Sequence, residues 1–363
     1  MNNKTILIKK LEIFCGTGGV GKTTLATSRA LFLGSKGKRV LLITIDPAKR
    51  LKQILNIKDQ NAGKIETISS KLFTGFDDNN FTISALLMSP KATLCKILNV
   101  NSIDNNVLNI LTRPHGGMNE ILSLIEVQFH IESGKYDTII LDTPPGKHFI
   151  DFLQSSRKIS DFFDSSFVEI FKFLGKPIIS PNDPVKKPTK RLLSKLISTG
   201  IKKLLKYLDQ VTGEKFVQDF IEAVSILYQN KAPFLDALEL EKQLRTFEFC
   251  NWFLVTSVEQ SKLKEAAEFQ SHTETFHKSN FFFLINKSLE NHIKEWDIPS
   301  EGSSLEKESR EKLISLKKSM ISKEEKTIKF AKSQFSQFIV FPEIIDANPG
   351  KHVGDLSKTW KNK

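Results

Sequence analysis

Gly16-Thr17-Gly18-Gly19-Val20-Gly21-Lys22-Thr23-Thr24 decides how the chain is read. It has the form G-x-x-x-x-G-K-T, a phosphate-binding P-loop. The flanks supply the context that the motif needs: Leu11-Glu12-Ile13-Phe14-Cys15 reads as a buried strand, and Thr24 to Leu33 reads as a helix. Glycines let the backbone curl so that successive N–H groups can face phosphate oxygens, and the helix N-terminus adds partial positive charge. On this reading Lys22 reaches the outer phosphates and the Thr23 hydroxyl sits on Mg²⁺.

Working outward, Val40-Leu41-Leu42-Ile43-Thr44-Ile45 is a continuous apolar run, as in a parallel strand covered on both faces, and it ends at Asp46-Pro47-Ala48. An acid at the carboxyl end of a central strand lies where open α/β sheets place their chemistry. Tyr136-Asp137-Thr138-Ile139-Ile140-Leu141-Asp142 is an apolar strand ending in aspartate, the Walker-B pattern, and Asp142 is expected to hold Mg²⁺ or a water bound to it. Thr143 to His148 follows as a tight loop through Gly146. Ser84 to Val100 is expected to be helical, and a turn at His115 to Glu120 feeds a helix from Ile121 to Glu132. Strand patterns return at Trp252–Thr256, at Phe281–Ile285 leading to Asn286-Lys287, and at Phe338–Phe341, which runs into Pro342 and a loop to Gly350. Residues 302–336 read as one or two charged helices. No internal repeat is present, so one nucleotide site per chain is expected.

The fold class expected is α/β, a mostly parallel central sheet flanked by helices with a helical insertion subdomain. Residues 1–150 and 250–363 would form the P-loop domain and residues 151–249 the insertion, where the strand signal disappears. Pro177, Pro181, Pro184 and Pro188 punctuate that block. Between Val185 and Leu208 lie eight lysines and arginines and no acid, interleaved with leucines and isoleucines at helical spacing. Such a segment suits an anionic membrane, an apolar client or the protein core, and its composition leaves the three open.

Across 363 residues the composition is 40% hydrophobic and 26% charged, with a net charge of +12. That describes a globular chain favouring acidic partners without choosing among them. No stretch of about 18 apolar residues suggests a transmembrane helix, and a cytoplasmic location is the default expectation. The three cysteines, Cys15, Cys95 and Cys250, are scattered, without a Cys-x-x-Cys pair.

Gly-Gly-Val-Gly-Lys-Thr-Thr, Asp46-Pro47-Ala48, Gly117-Met118-Asn119-Glu120 and Asp142-Thr143-Pro144-Pro145-Gly146-Lys147-His148 together resemble the ArsA-type anion-transporting ATPases. That group holds arsenite-pump ATPases and targeting factors for tail-anchored membrane proteins, within the deviant Walker A class. The resemblance implies ATP and Mg²⁺ as ligands and a homodimer with ATP at the interface. It implies that Asp46 positions the attacking water, that Gly16 to Thr24 cradle the phosphates with Thr23 and Asp142 holding Mg²⁺, and that Asn286 and the loop after Pro342 contact adenine. The helical block would handle a protein or membrane-protein client, and nucleic acid is not an expected partner. The chain departs from the group in three ways. Thr17 stands where the class carries a signature lysine, the zinc-binding Cys-x-x-Cys is missing, and the cysteines do not cluster. Besides an ATPase, two further readings stand: a nucleotide-gated binding module with little hydrolysis, and a partitioning-type ATPase acting at DNA or membrane.

Overall fold

The computed structural model describes residues 6–45, 49–76, 80–102, 118–146, 230–244, 246, 248–273, 281–298, 307–335 and 337–362. Its contacts divide the chain into two compact units. One comprises Met1–Met88, His130–Ile150 and Gln243–Lys363; the other comprises Ser89–Phe129 and Asp151–Lys242.

The first unit is built on an eight-stranded sheet. Its strands are β1 (Leu11–Gly16), β2 (Val40–Thr44), β3 (Ile65–Ser69), β4 (Thr82–Leu87), β5 (Thr138–Asp142), β6 (Cys250–Ser257), β7 (Phe281–Ser288) and β8 (Phe338–Pro342). They lie in the order β3-β4-β2-β5-β1-β6-β7-β8. Every pairing is parallel except β3 with β4. This is the mostly parallel α/β architecture of a P-loop fold, flanked by helices. β1, β2, β5 and β6 are buried along their whole lengths, which is why they read as unbroken apolar runs rather than alternating ones.

Helices α1 (Lys22–Ser35), α2 (Lys49–Leu55), α3 (Pro90–Leu98), α4 (Met118–Glu132), α5 (Ala232–Gln243), α6 (Gln260–Thr273), α7 (Glu290–Glu295), α8 (Lys307–Gln334) and α9 (Pro349–Thr359) complete the described elements. α1 is nearly all buried, and α9 packs along it. The close approach of α9 to the chain at residues 72–74 needs its glycines. A Cβ at Gly354 would stand 2.3 Å from the Thr74 carbonyl oxygen, and one at Gly350 would stand 2.5 Å from that of Leu72.

A buried ion pair ties α1 to the sheet. Arg29 Nε and Nη2 each donate to the Glu12 carboxylate at 2.9 Å, with the two side chains 2% and 0% exposed. Asn251 Nδ2 adds a 3.2 Å bond to Glu12, and the guanidinium carbon lies 4.9 Å from the Trp360 ring centre and 5.8 Å from that of Phe253. Trp360 Nε1 in turn donates to Ser28 Oγ at 2.9 Å.

Two expectations are corrected. Ser84 to Val100 is not one helix: residues 82–87 form β4, and α3 begins only at Pro90, behind an Ser89 N-cap whose hydroxyl accepts from Ala92 N. Pro at the first helical position and Ser before it mark the true start. The antiparallel edge strand β3 falls where no strand was expected. The loop after Pro342 runs to Asn348, close to the Gly350 expected, and Asn348 then caps α9 by accepting from Gly350 N and Lys351 N, with Pro349 at its first turn. Residues 307–334 are one helix.

In the second unit Glu126 of α4 joins α3. It is 2% exposed, accepts from Thr93 Oγ1 at 2.6 Å and pairs with the Lys96 ammonium. The segment 185–208 and the Pro177–Pro188 stretch lie outside the described residues, as do Gly117, Lys147 and His148.

Candidate functional site

The site gathers at the carboxyl ends of β1, β2, β5 and β7, with β6 packed against the start of the loop. β1 ends at Gly16, whose φ of 141° and contact with β6 exclude a side chain: a Cβ there would lie 2.2 Å from the Val255 carbonyl oxygen. The loop turns through Gly19 (φ 79°) and Gly21 (φ 91°), left-handed conformations natural to glycine. Val20 is buried and pins the loop, and Thr24, 4% exposed, lies in the first turn of α1. Gly21 is the N-cap of α1 and no side chain caps that end. The first-turn N–H groups therefore carry the helix dipole toward the loop, the arrangement that binds anions.

Three carbonyl contacts shape the loop's rim. Lys22 Nζ donates to Thr17 O at 2.9 Å, Asn286 Nδ2 to Val20 O at 3.0 Å, and Lys287 Nζ to Gly19 O at 3.1 Å. The Thr17 hydroxyl is buried and makes no hydrogen bond among the described residues.

Asp142 faces the loop from the end of β5. Thr23 Oγ1 donates to its Oδ2 at 2.7 Å and Thr44 Oγ1 donates to the same atom at 3.2 Å. Thr23 comes from α1, Thr44 from β2 and Asp142 from β5, so three elements converge on one carboxylate that is 3% exposed. A hydroxyl already 2.7 Å from a carboxylate is a donor set suited to a hard cation such as Mg²⁺. The next residue, Thr143, donates from Oγ1 to Phe14 O at 2.8 Å, and Gly146 N donates to Gly16 O at 3.1 Å. The loop after Asp142 therefore rests on the P-loop itself.

Asn286, 4% exposed, is brought to the P-loop by β7. Pro342 ends β8 beside Ser288, across a bulge between Ile285 and Ser288. Asp46 lies outside the described residues; the chain reaches Ile45, whose N–H donates to Asp142 O at 3.1 Å. Cys15 and Cys250 are completely buried, and burial pushes both thiols well above their usual range. Thr44, Thr143 and Lys287 were given no role by the sequence, because hydroxyls and lysines at strand ends are common and only the fold says what they meet.

A profile of the anion-transporting ATPases matches residues 9–315. The chain belongs to the anion-transporting ATPase family. Among its relatives it is similar to ATPase GET3 of Phaeosphaeria nodorum, 33% identical over 150 residues, which covers 38% of this chain and 43% of the relative. ATPase GET3 of Kluyveromyces lactis is 34% identical over 182 residues, 44% of this chain and 48% of the relative. A protein of Aquifex aeolicus named as an arsenical pump-driving ATPase is 26% identical over 176 residues, 47% of this chain and 58% of the relative. The match thus spans about half the length of these relatives. The Thr23–Asp142–Thr44 cluster lies within the region matched by the family profile, whereas Pro342 lies beyond it. No helix among the described residues is long and apolar enough to cross a membrane.

Proposed function

We propose that the chain is a cytoplasmic ATPase that binds Mg–ATP at the P-loop, hydrolyses it, and couples nucleotide state to a partner surface in the helical block 151–249. The observation that carries the reading is the 2.7 Å bond from Thr23 Oγ1 to Asp142 Oδ2, which unites the P-loop and the end of β5 in one small polar centre. In this reading the loop N–H groups and Lys22 hold the phosphates, while Thr23 and Asp142 hold Mg²⁺. When bound, the ion neutralises charge on the outer phosphates. Thr44 keeps the Asp142 carboxylate oriented. Asn286 and the loop after Pro342, at neighbouring strand ends, are assigned to adenine, and a homodimer around ATP is the assembly that this reading takes from the resemblance to the family.

Asp46 is assigned to orienting the attacking water. Phosphoryl transfer depends mainly on positioning and electrostatics, so Asp46→Asn is expected to lower kcat about 10²-fold or more while ATP binding persists. Steady-state turnover alongside equilibrium ATP binding checks this, and wild-type turnover in the variant would remove the assignment. A wild type that binds ATP without turning it over would favour the nucleotide-gated binding module, the reading that Thr17 supports.

The coupling proposal rests on the basic amphipathic stretch 185–208 and on the contact between Gly146 and Gly16, which puts the loop leading into the block against the P-loop. Hydrogen exchange across 185–208 is expected to differ between an ATP analogue and ADP. Identical strong protection in both states would identify the segment as core.

Arsenite and antimonite are not expected to stimulate the ATPase. Cys15 aligns with Leu254 on β6, four residues from Cys250, so the two positions are about 13 Å apart along the strands. A soft-metalloid site needs thiolates that converge, and burial keeps both thiols protonated. Metalloid stimulation that vanishes in a triple Cys→Ser variant would refute this.

A further inference from the structure

We propose that Asn286 and Lys287 form a clamp that sets the phosphate-binding geometry of the P-loop from its outer side, and that Glu324 of α8 locks this clamp. The proposal deepens the ATP reading above and rests on it. Its starting point is the direction of two bonds. Asn286 Nδ2 donates to Val20 O and Lys287 Nζ donates to Gly19 O, at 3.0 and 3.1 Å. Each carbonyl shares a planar trans peptide with the N–H of the following residue, and that N–H points the opposite way. Drawing the carbonyls of Gly19 and Val20 toward β7 therefore turns the N–H groups of Val20 and Gly21 away from it, toward the side where a P-loop receives phosphate. Hydrogen bonds to the carbonyls also polarise these peptides and strengthen their N–H groups as donors.

Two features indicate that this grip is built in. A Cβ at Gly21 would meet Asn286 Nδ2 at 2.3 Å, so the glycine leaves room for the amide to press against the loop. Lys287 has a φ of 66°, a left-handed conformation that a long side chain adopts only under constraint. The constraint lies on α8. Glu324, 9% exposed, accepts from Ser288 Oγ and from the Leu289 backbone N–H, each at 2.9 Å. It holds the chain immediately after Lys287. Three residues along α8, Thr327 Oγ1 donates to Val258 O at 3.1 Å, so the helix grips the end of β6 as well. Glu324 is thus a positioning residue that acts on the loop through β7.

The clamp is distinguished from a base contact by a ligand without a base. Affinities for Mg–ATP and for Mg–tripolyphosphate are measured by calorimetry on the full chain, for wild type, Lys287→Asn, Lys287→Arg and Glu324→Gln. Asparagine tolerates the left-handed backbone while deleting the ammonium; arginine keeps a charged donor; glutamine keeps one acceptor oxygen in nearly the same volume. Lys287→Asn is expected to weaken both ligands by the same factor, about 3- to 10-fold, with Lys287→Arg largely restoring both. Glu324→Gln is expected to weaken both equally by a smaller factor, at a melting temperature close to wild type. Loss of ATP affinity with unchanged tripolyphosphate affinity in Lys287→Asn would overturn the clamp in favour of a base contact. Unchanged affinity for both ligands would overturn it outright. A wild type that binds neither ligand would overturn the ATP reading and the clamp with it.

Discussion

Lys22→Ala is expected to weaken Mg–ATP binding by roughly 10- to 150-fold, the worth of one charged hydrogen bond of about 1.5–3 kcal/mol. The ammonium donates to Thr17 O at 2.9 Å, on the rim of the loop, and its side chain is 8% exposed. A cation held there by packing of its stem has little freedom to lose when phosphate arrives, so most of its attraction appears as affinity. Lys22→Met, which keeps the apolar stem, should lose the same affinity and melt closer to wild type than Lys22→Ala. Equilibrium binding of ATP with and without Mg²⁺ checks the prediction, and unchanged affinity in both variants would sink the assignment of the site. Thr23→Ala supplies the contrast, because it removes the hydroxyl on Asp142 and should weaken binding mainly when Mg²⁺ is present.

The largest stability effect is expected at Glu12 and Arg29. Either Arg29→Ala or Glu12→Ala leaves its partner as an uncompensated charge in the core, at a cost of about 3–5 kcal/mol. A typical domain is stable by only about 5–15 kcal/mol, so the melting temperature should fall by on the order of 10 °C. Arg29→Ala also empties the space between Phe32, Phe253 and Trp360, whose ring centres lie 5.5, 5.8 and 4.9 Å from the guanidinium carbon. Replacing both charges together, Glu12→Leu with Arg29→Met, is expected to recover much of the loss, because the cost lies in the orphaned charge rather than in the missing pair. Thermal and denaturant unfolding of the two single variants and the double variant tests this as a cycle. Additive losses in the double variant would contradict it.

The local sequence determined the P-loop and the central strands of the sheet. Strands buried on both faces are mostly apolar, and Gly16, Gly19 and Gly21 are required by backbone angles that other residues reach at a cost, so both signals are complete within a few residues. Asp142, which closes the fifth strand, was legible for the same reason, as a polar residue ending an apolar run. Only the tertiary structure decided the meaning of residues whose partners are far away in the chain. Glu12 sits in a run that reads as apolar, yet its place is set by Arg29 on α1 and Asn251 on β6. Residues 82–87 look continuous with the helix that follows them, and they are a strand because β2 offers its edge there. Asn286 was legible only as a polar residue near a strand end. That its amide holds Val20, and that Glu324 holds the next turn of chain, depends on β7 lying beside β6 and on α8 reaching the carboxyl ends of both strands. Backbone angles and burial on both faces leave a mark on neighbouring residues, whereas a hydrogen bond between strand ends leaves none until the strand order is set.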